Sequence, residues 1–249
     1  MPVSQPSVAT MVGATKVRIP YSPFPANGDY REAPLYSIAE VAYFLKVPKP
    51  TLHRWTRRWV TKTGHHLEAL IPIADPVSAL MSFYNLVEAH ILSVTVRIHK
   101  LKIKAVRNAI QELRIEKVSN PEHPLLSREF YTDGKDLFIK TLESTINVSQ
   151  FGQLGLREVL DSYLARIERD DRFNPVKLYP VHQKGKIVSI LPTVSSGRPI
   201  IESAGIPVVS IWNRYKAGDD VETLADDYEI PESQIAGAID YFEQLRAAA

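Results

Sequence analysis

The chain has 249 residues, 45% hydrophobic and 23% charged, which is enough apolar material for a buried core at an ordinary charge density for a globular protein. It has no cysteine, so disulfides and thiol catalysis are excluded, and a metal site would have to rely on His and carboxylates. The net charge of +2 hides an asymmetry of 16 Lys+Arg against 8 Asp+Glu over residues 1–118, 9 against 10 over 119–185, and 5 against 10 over 186–249. That pattern implies a polyanionic partner at the basic front and a different partner at the acidic back.

Residues 1–34, rich in Pro and Ser and without a period, read as an extended arm lying on the next module. The opening MPVSQPSVATMVGATKV lacks a basic stretch followed by an apolar core, and no apolar run approaches the roughly 18 residues that span a bilayer. A cytoplasmic location without membrane contact is expected. In LYSIAEVAYFLKV, Ser37 followed by Glu40 predicts a capping box, and Ile38, Val41, Ala42 and Leu45 keep helical spacing. After a break at Lys46-Val47-Pro48, VPKPTLHRWTRRW predicts a second short helix over 49–58. It has Leu52, Trp55 and Trp59 on an apolar stripe and the basic side chains opposite. Two short helices and a tight turn make a helix-turn-helix.

VTKTGHHLEALIPIAD then reads as a β-hairpin wing, and Asp75-Pro76 as the cap of a long helix through Phe83, Leu86, Val87, His90, Ile91, Val94 and Ile98. Residues 83–98, with Leu92 and Val96 widening the stripe, offer one candidate dimer interface. IKAVRNAIQELR predicts a helix burying Ile103, Val106, Ile110 and Leu113 with Lys104, Arg107 and Arg114 outward, and Asp133-Gly134 signals a hairpin. LREVLDSYLARIE follows as an amphipathic helix through Leu156, Val159, Leu160, Tyr163, Leu164 and Ile167. RDDRFNP reads as a linker, and VKLYPV and KIVSILP as strands. Three helices are expected at about 207–217, 220–228 and 231–246, with Gly218, Asp219 or Asp220, and Pro231 as their boundaries. The fold class is thus mainly α with small β-hairpins. The domains expected are an arm (1–34), a winged helix-turn-helix (35–140), a linker helix and strand (141–185) and a three-helix, homeodomain-like module (186–249).

The last two helices repeat the helix-turn-helix pattern with opposite charge. Helix 231–246 places Ile235, Ala238, Ile239 and Phe242 inward and Glu232, Ser233, Gln234, Gly237, Asp240 and Glu243 outward. Three carboxylates in a groove flanked by phosphates are repelled, so this unit is assigned to dimerisation or a protein partner rather than DNA. In the front unit Lys49, Arg54, Arg57, Arg58 and Lys62 can neutralise phosphates, while Thr51, His53 and Arg54 occupy the early turns from which base edges are read.

LYSIAEVAYFLKVPKPTLHRW, followed after the wing by SFYNLVEAHILSVTVRIHKLKIKAVRNAIQEL, resembles the winged helix-turn-helix of MerR-type regulators. More closely, it resembles the DNA-binding half of VapB-type antitoxins, through HPLLSREFYTDGKDLFI and the following helix. The C-terminal stretch resembles domain-of-unknown-function family 433 through Gly197, Pro199, Ile201, Ile206, Pro207, Ala217 and Gly218. The resemblance, over roughly residues 35–246, implies an antitoxin encoded beside a PIN-type ribonuclease toxin. Such a protein binds its own operator as a homodimer and holds the toxin with its C-terminal module. Two positions depart from the pattern. Pro48-Lys49-Pro50 stands where MerR-type helices open on Ser or Thr, and Ala204-Gly205 where family 433 has Thr-Arg, which leaves Arg198 as the substitute contact. Trp212, Tyr215, Glu232, Asp240 and Glu243 are the other candidate partner contacts.

An enzyme is not indicated. His53, His65, His66, His90, His99, His123 and His182 show no HExxH spacing, no phosphate-binding glycine loop is present, and no cofactor is called for. The alternative reading is a MerR-like transcriptional regulator responding to a small-molecule effector.

Overall fold

The computed structural model describes residues 28–60, 64, 66–97, 103–115, 119–143, 153–181 and 185–247. The short strand β1 (Tyr36–Ser37) leads into α1 (Ile38–Leu45). Ser37 accepts from the Glu40 amide, and Glu40 accepts in return from the Ser37 N–H at 2.9 Å, so the expected capping box is formed. Lys46, in the left-handed region, ends α1, and Pro48 introduces α2 (Lys49–Thr56). Leu52 and Trp55 are buried as the stripe predicts, but the helix stops at Thr56, two residues before the expected end at Arg58. Arg57 is extended (φ −104°, ψ 145°), which carries Trp59 off the stripe into β2 (Trp59–Val60), where it is 48% exposed. β2 pairs antiparallel with β3 (His66–Leu67), and this is the wing.

β4 (Leu80–Met81) pairs with β1 and delivers α3 (Phe83–Leu92). Ser82, rather than Asp75-Pro76, caps α3 through a reciprocal pair of hydrogen bonds with Asn85. Asp75 instead accepts from the Val77 and Ser78 amides and closes a turn. All ten residues of α3 are buried, so the helix is the central post of the core. The apolar surface of 83–94 is therefore used inside the chain, and Ile98 lies outside the described residues. Val96, on α4 (Val94–Arg97), is exposed.

α5 (Ile103–Ile115) buries Val106, Ile110 and Leu113, while Ile103 at its first turn stays partly exposed. Arg107, expected outward, is buried and donates to the Glu68 carbonyl beside the wing. The Asp133-Gly134 hairpin does not form. Residues 130–134 make a π turn that runs on into α6 (Lys135–Glu143). The helical face of Phe130, Phe138, Ile139 and Leu142, all buried, outweighs the local turn signal. α7 (Gln153–Leu164) buries Leu156, Leu160, Tyr163 and Leu164 and leaves Val159 exposed. RDDRFNP is the turn of a hairpin between β5 (Ile167–Arg169) and β6 (Pro175–Leu178), not a linker. Asp170 shapes it by accepting from the Arg172 and Asn174 amides. The same carboxylate pairs with Arg31 at 2.9 Å, so the described end of the N-terminal arm is pinned to this turn. One core runs from Tyr36 to Ile190.

A second core lies behind it. β7 (Val188–Ser189), β8 (Ile200–Ile201) and β9 (Ile206–Pro207) form a small antiparallel sheet. Against it pack α8 (Val208–Ala217), α9 (Val221–Tyr228) and α10 (Glu232–Ala247), close to the expected bounds. Asp220 is the cap of α9, accepting from the Thr223 amide at 2.8 Å. Ile235, Ala238 and Ile239 are buried and Phe242 is half-buried, as expected. Gly237 is not outward, since a Cβ there would come within 2.4 Å of Ile187.

Candidate nucleic-acid interface

The basic surface is built from α2 and the extended segment that joins it to β2. Pro48 supplies no side-chain cap, but with Pro50 it presets the backbone of the first turn, and the Thr51 amide bonds to the Pro48 carbonyl at 2.8 Å. Lys49 and Arg54 project from the helix into solvent, and Arg57 and Arg58 from the extended segment after it. The four cations therefore lie on two elements rather than one helix face. Arg54 donates to Thr51 Oγ1 at 3.4 Å, which aims its guanidinium toward the helix start. Arg58 pairs with Glu68 at 2.8 Å, both largely exposed, so this bond orders the wing at small net energy. Burial, then Arg57 and Lys49, lower the pKa of His53, which favours its uncharged ring. Thr51 and His53 are half-buried, and Lys62 lies outside the described residues. Arg54 is left as the exposed Arg on the helix itself.

The C-terminal module docks directly on α1. Tyr241, which the pattern of inward residues missed, is fully buried there, its hydroxyl donating to the Phe44 carbonyl at 3.5 Å. It stands three residues after Ala238 and six after Ile235, one helical step around from the assigned stripe. Tyr43 meets Phe242 edge-on at 6.1 Å, Lys46 donates to Gln244, and Arg198 pairs with Glu40 at 2.8 Å. Gln244 also donates to Asp240 at 2.7 Å, which brings an acidic residue of α10 close to the turn that precedes α2. A groove of about 350 Å³, lined by Tyr43, Lys46, Lys49, Pro50 and Leu245, separates the two helices there.

The six candidate partner residues are not brought together. Arg198 is engaged with Glu40, and Trp212 is buried, stacked on Phe242 at 4.8 Å. Tyr215 is 37% exposed on α8, and Glu232, Asp240 and Glu243 line the outer side of α10. Arg214, not singled out in the sequence, clamps α8 to α9 by pairing with Asp219 and Asp227, each at 2.6 Å. Among the described residues no three His, Asp or Glu side chains group as metal ligands, and no helix is long and apolar enough to cross a membrane.

The comparisons divide along the same architecture. Residues 188–242, the second core, match the family described as Protein of unknown function (DUF433). Over most of its length the chain is similar to the Putative antitoxin VapB45 of Mycobacterium tuberculosis, 24% identical over 229 residues that cover 84% of this chain and 94% of that one. It is 27% identical to the Uncharacterized protein Rv2308 of the same organism over 224 residues, 86% of this chain and 92% of the relative. The crystal structure of Rv2018 from M. tuberculosis shares the fold with a TM-score of 0.58 at 23% identity, covering 83% of this chain and 97% of that one. The chain thus resembles a VapB-type antitoxin that carries a family 433 module.

Proposed function

We propose that the chain is a cytoplasmic, non-catalytic antitoxin of a type II toxin–antitoxin system. Its front unit binds operator DNA, and its family 433 module silences a PIN-type ribonuclease. The observation that carries this reading is the joining, in one chain similar over 84% of its length to a putative antitoxin, of two short helices and a hairpin with a basic surface and an acidic second core. The charges suit the two roles. Lys49, Arg54, Arg57 and Arg58 face phosphates, and Glu232, Asp240 and Glu243 face a partner that must present a basic track to RNA. Purification of the full chain from its native cells tests both halves. Retention of ribonuclease protein and a shift of the DNA upstream of its own gene are expected. Absence of both overturns the reading.

Arg54→Ala is expected to weaken operator binding by about 1–3 kcal/mol and to relax sequence preference, since an exposed Arg on the reading helix suits guanine. Arg57→Ala is expected to weaken all sequences alike and to reduce the salt slope by about 1. Gel shifts of both variants at three salt concentrations separate the two roles, and unchanged affinity in both removes α2 from the interface.

A homodimer is expected as well, because helix-turn-helix proteins commonly read paired half-sites about one duplex turn apart. With α3 enclosed in the core, the interface must lie on surfaces outside it. Light scattering at tens of micromolar without DNA is expected to give twice the chain mass, and a monomer mass refutes the expectation.

A further inference from the structure

A cleft of about 480 Å³, within the range of small-molecule sites, lies between the wing, the start of α3, α5 and the 121–123 segment. It is lined by Glu32, Glu68, Asn85, Arg114, Glu122 and His123. Asn85 is committed to the Pro72 carbonyl and the amides of Ala74 and Ser82, and so serves as its wall. Three of the others are differently placed. Arg114 and Glu122 carry opposite charge and share the lining, yet neither has an ion pair among the described residues. They are therefore too far apart to satisfy each other.

His123 is the third. Its side chain is 10% exposed, and its Nδ1 lies 2.9 Å from the Glu88 carboxylate, itself 1% exposed. That buried clamp fixes the ring, so Nε2 is the nitrogen left without a partner among the described residues, on a side chain that lines the cleft. Burial opposes the charged ring, but the charge and hydrogen bond of Glu88 outweigh it and raise the His123 pKa, and in the charged ring Nε2 carries a proton and donates. The cleft thus sets two donors, Arg114 and His123, among the carboxylates of Glu32, Glu68 and Glu122.

We propose that this cleft binds a small zwitterion of the amino-acid class, its carboxylate held by Arg114 and His123 Nε2 and its ammonium by Glu122 and Glu68. A ligand with both charges spans two groups that cannot reach each other, which neither a diamine nor a dicarboxylate does. Glu68 also holds Arg58 of the wing at 2.8 Å, so a bound ammonium competes with that pair and loosens the wing. This coupling rests on the DNA-binding reading. Occupancy of the cleft does not, and it is measured without DNA.

Isothermal titration calorimetry of the full chain with L-alanine, L-lysine and L-glutamate, against 1,4-diaminobutane and succinate at matched ionic strength, is the test. At least one amino acid is expected to bind at about millimolar or tighter, with both single-sign compounds weaker by about tenfold or more, one charge-assisted contact's worth. Arg114→Gln and Glu122→Gln, both at the surface and outside the core, are each expected to weaken the amino acid about tenfold with unliganded melting unchanged. Equal binding of diaminobutane would make the site one for amines only. That outcome, the absence of heat with every titrant, or wild-type affinity in both variants overturns the proposal.

Discussion

His123→Ala is expected to cost about 3–5 kcal/mol of folding stability, because it leaves the Glu88 carboxylate buried without a partner. The pair joins α3 to the segment after α5, and Tyr84 packs on the His123 ring at 5.1 Å, so the damage is carried to the centre of the larger core. The pH dependence has a definite sign. Burial by itself would lower the His123 pKa, but the charge and hydrogen bond of Glu88 raise it above the ordinary 6.5. A raised folded-state value gives stability that is fully present below about pH 6.5 and is lost as pH rises through the folded value. Urea unfolding of the wild type is therefore expected to show stability falling from pH 6.5 upward, and the fall is expected to be absent in His123→Ala. His53, whose pKa is lowered, acts below that window and in the opposite sense, so it does not confuse the comparison. A variant as stable as wild type, or one with the same slope above pH 6.5, refutes the role given to the pair.

The elements most legible in the sequence were those whose local chemistry and tertiary environment agree. Ser37 with Glu40, Gly218 after α8 and Asp220 before α9 place helix ends from side-chain and backbone hydrogen bonds a few residues apart, and each stands where the pattern put it. The misread stretches are those where a distant partner decides. Asp133-Gly134 carries a hairpin signal, yet the chain there stays helical because Phe130 and Phe138 need the same core. Arg107 looks like a solvated face until the wing carbonyl of Glu68 is brought to it. Trp59 keeps helical register with Leu52 and Trp55, but the wing strand ends the helix first. The basic residues of the candidate surface were visible as composition, and their division between α2 and the extended segment after it was not. The cleft around His123 could not be read at all, since Glu32, Glu68, Arg114 and Glu122 come from four separate stretches of chain.

Docking of the second core on the first turns on one backbone position. Gly197 has φ +73°, and a Cβ there would sit 2.1 Å from the Tyr36 hydroxyl and 2.8 Å from its ring carbon Cζ. Tyr36 cannot move aside freely. It is fully buried, lies on β1 opposite Met81, and meets Phe44 edge-on at 6.4 Å. Gly197→Ala therefore combines left-handed backbone strain of about 1–2 kcal/mol with an overpacking cost of about 1–3 kcal/mol. A loss of about 2–5 kcal/mol in urea unfolding is expected. The clash has its own control. The Tyr36 hydroxyl is buried with no hydrogen-bond partner in the described structure, so Tyr36→Phe alone is expected to be close to neutral. Combined with Gly197→Ala it removes the nearest contact, and the double variant is expected to recover part of the loss while the backbone strain persists. Because Tyr36 runs directly into the Ser37 cap of α1, and Arg198 beside Gly197 pairs with Glu40 of that helix, the same substitution is expected to weaken DNA binding although it lies outside the basic surface. Wild-type stability in Gly197→Ala, or no recovery in the double variant, shows that the second core does not rest on Tyr36.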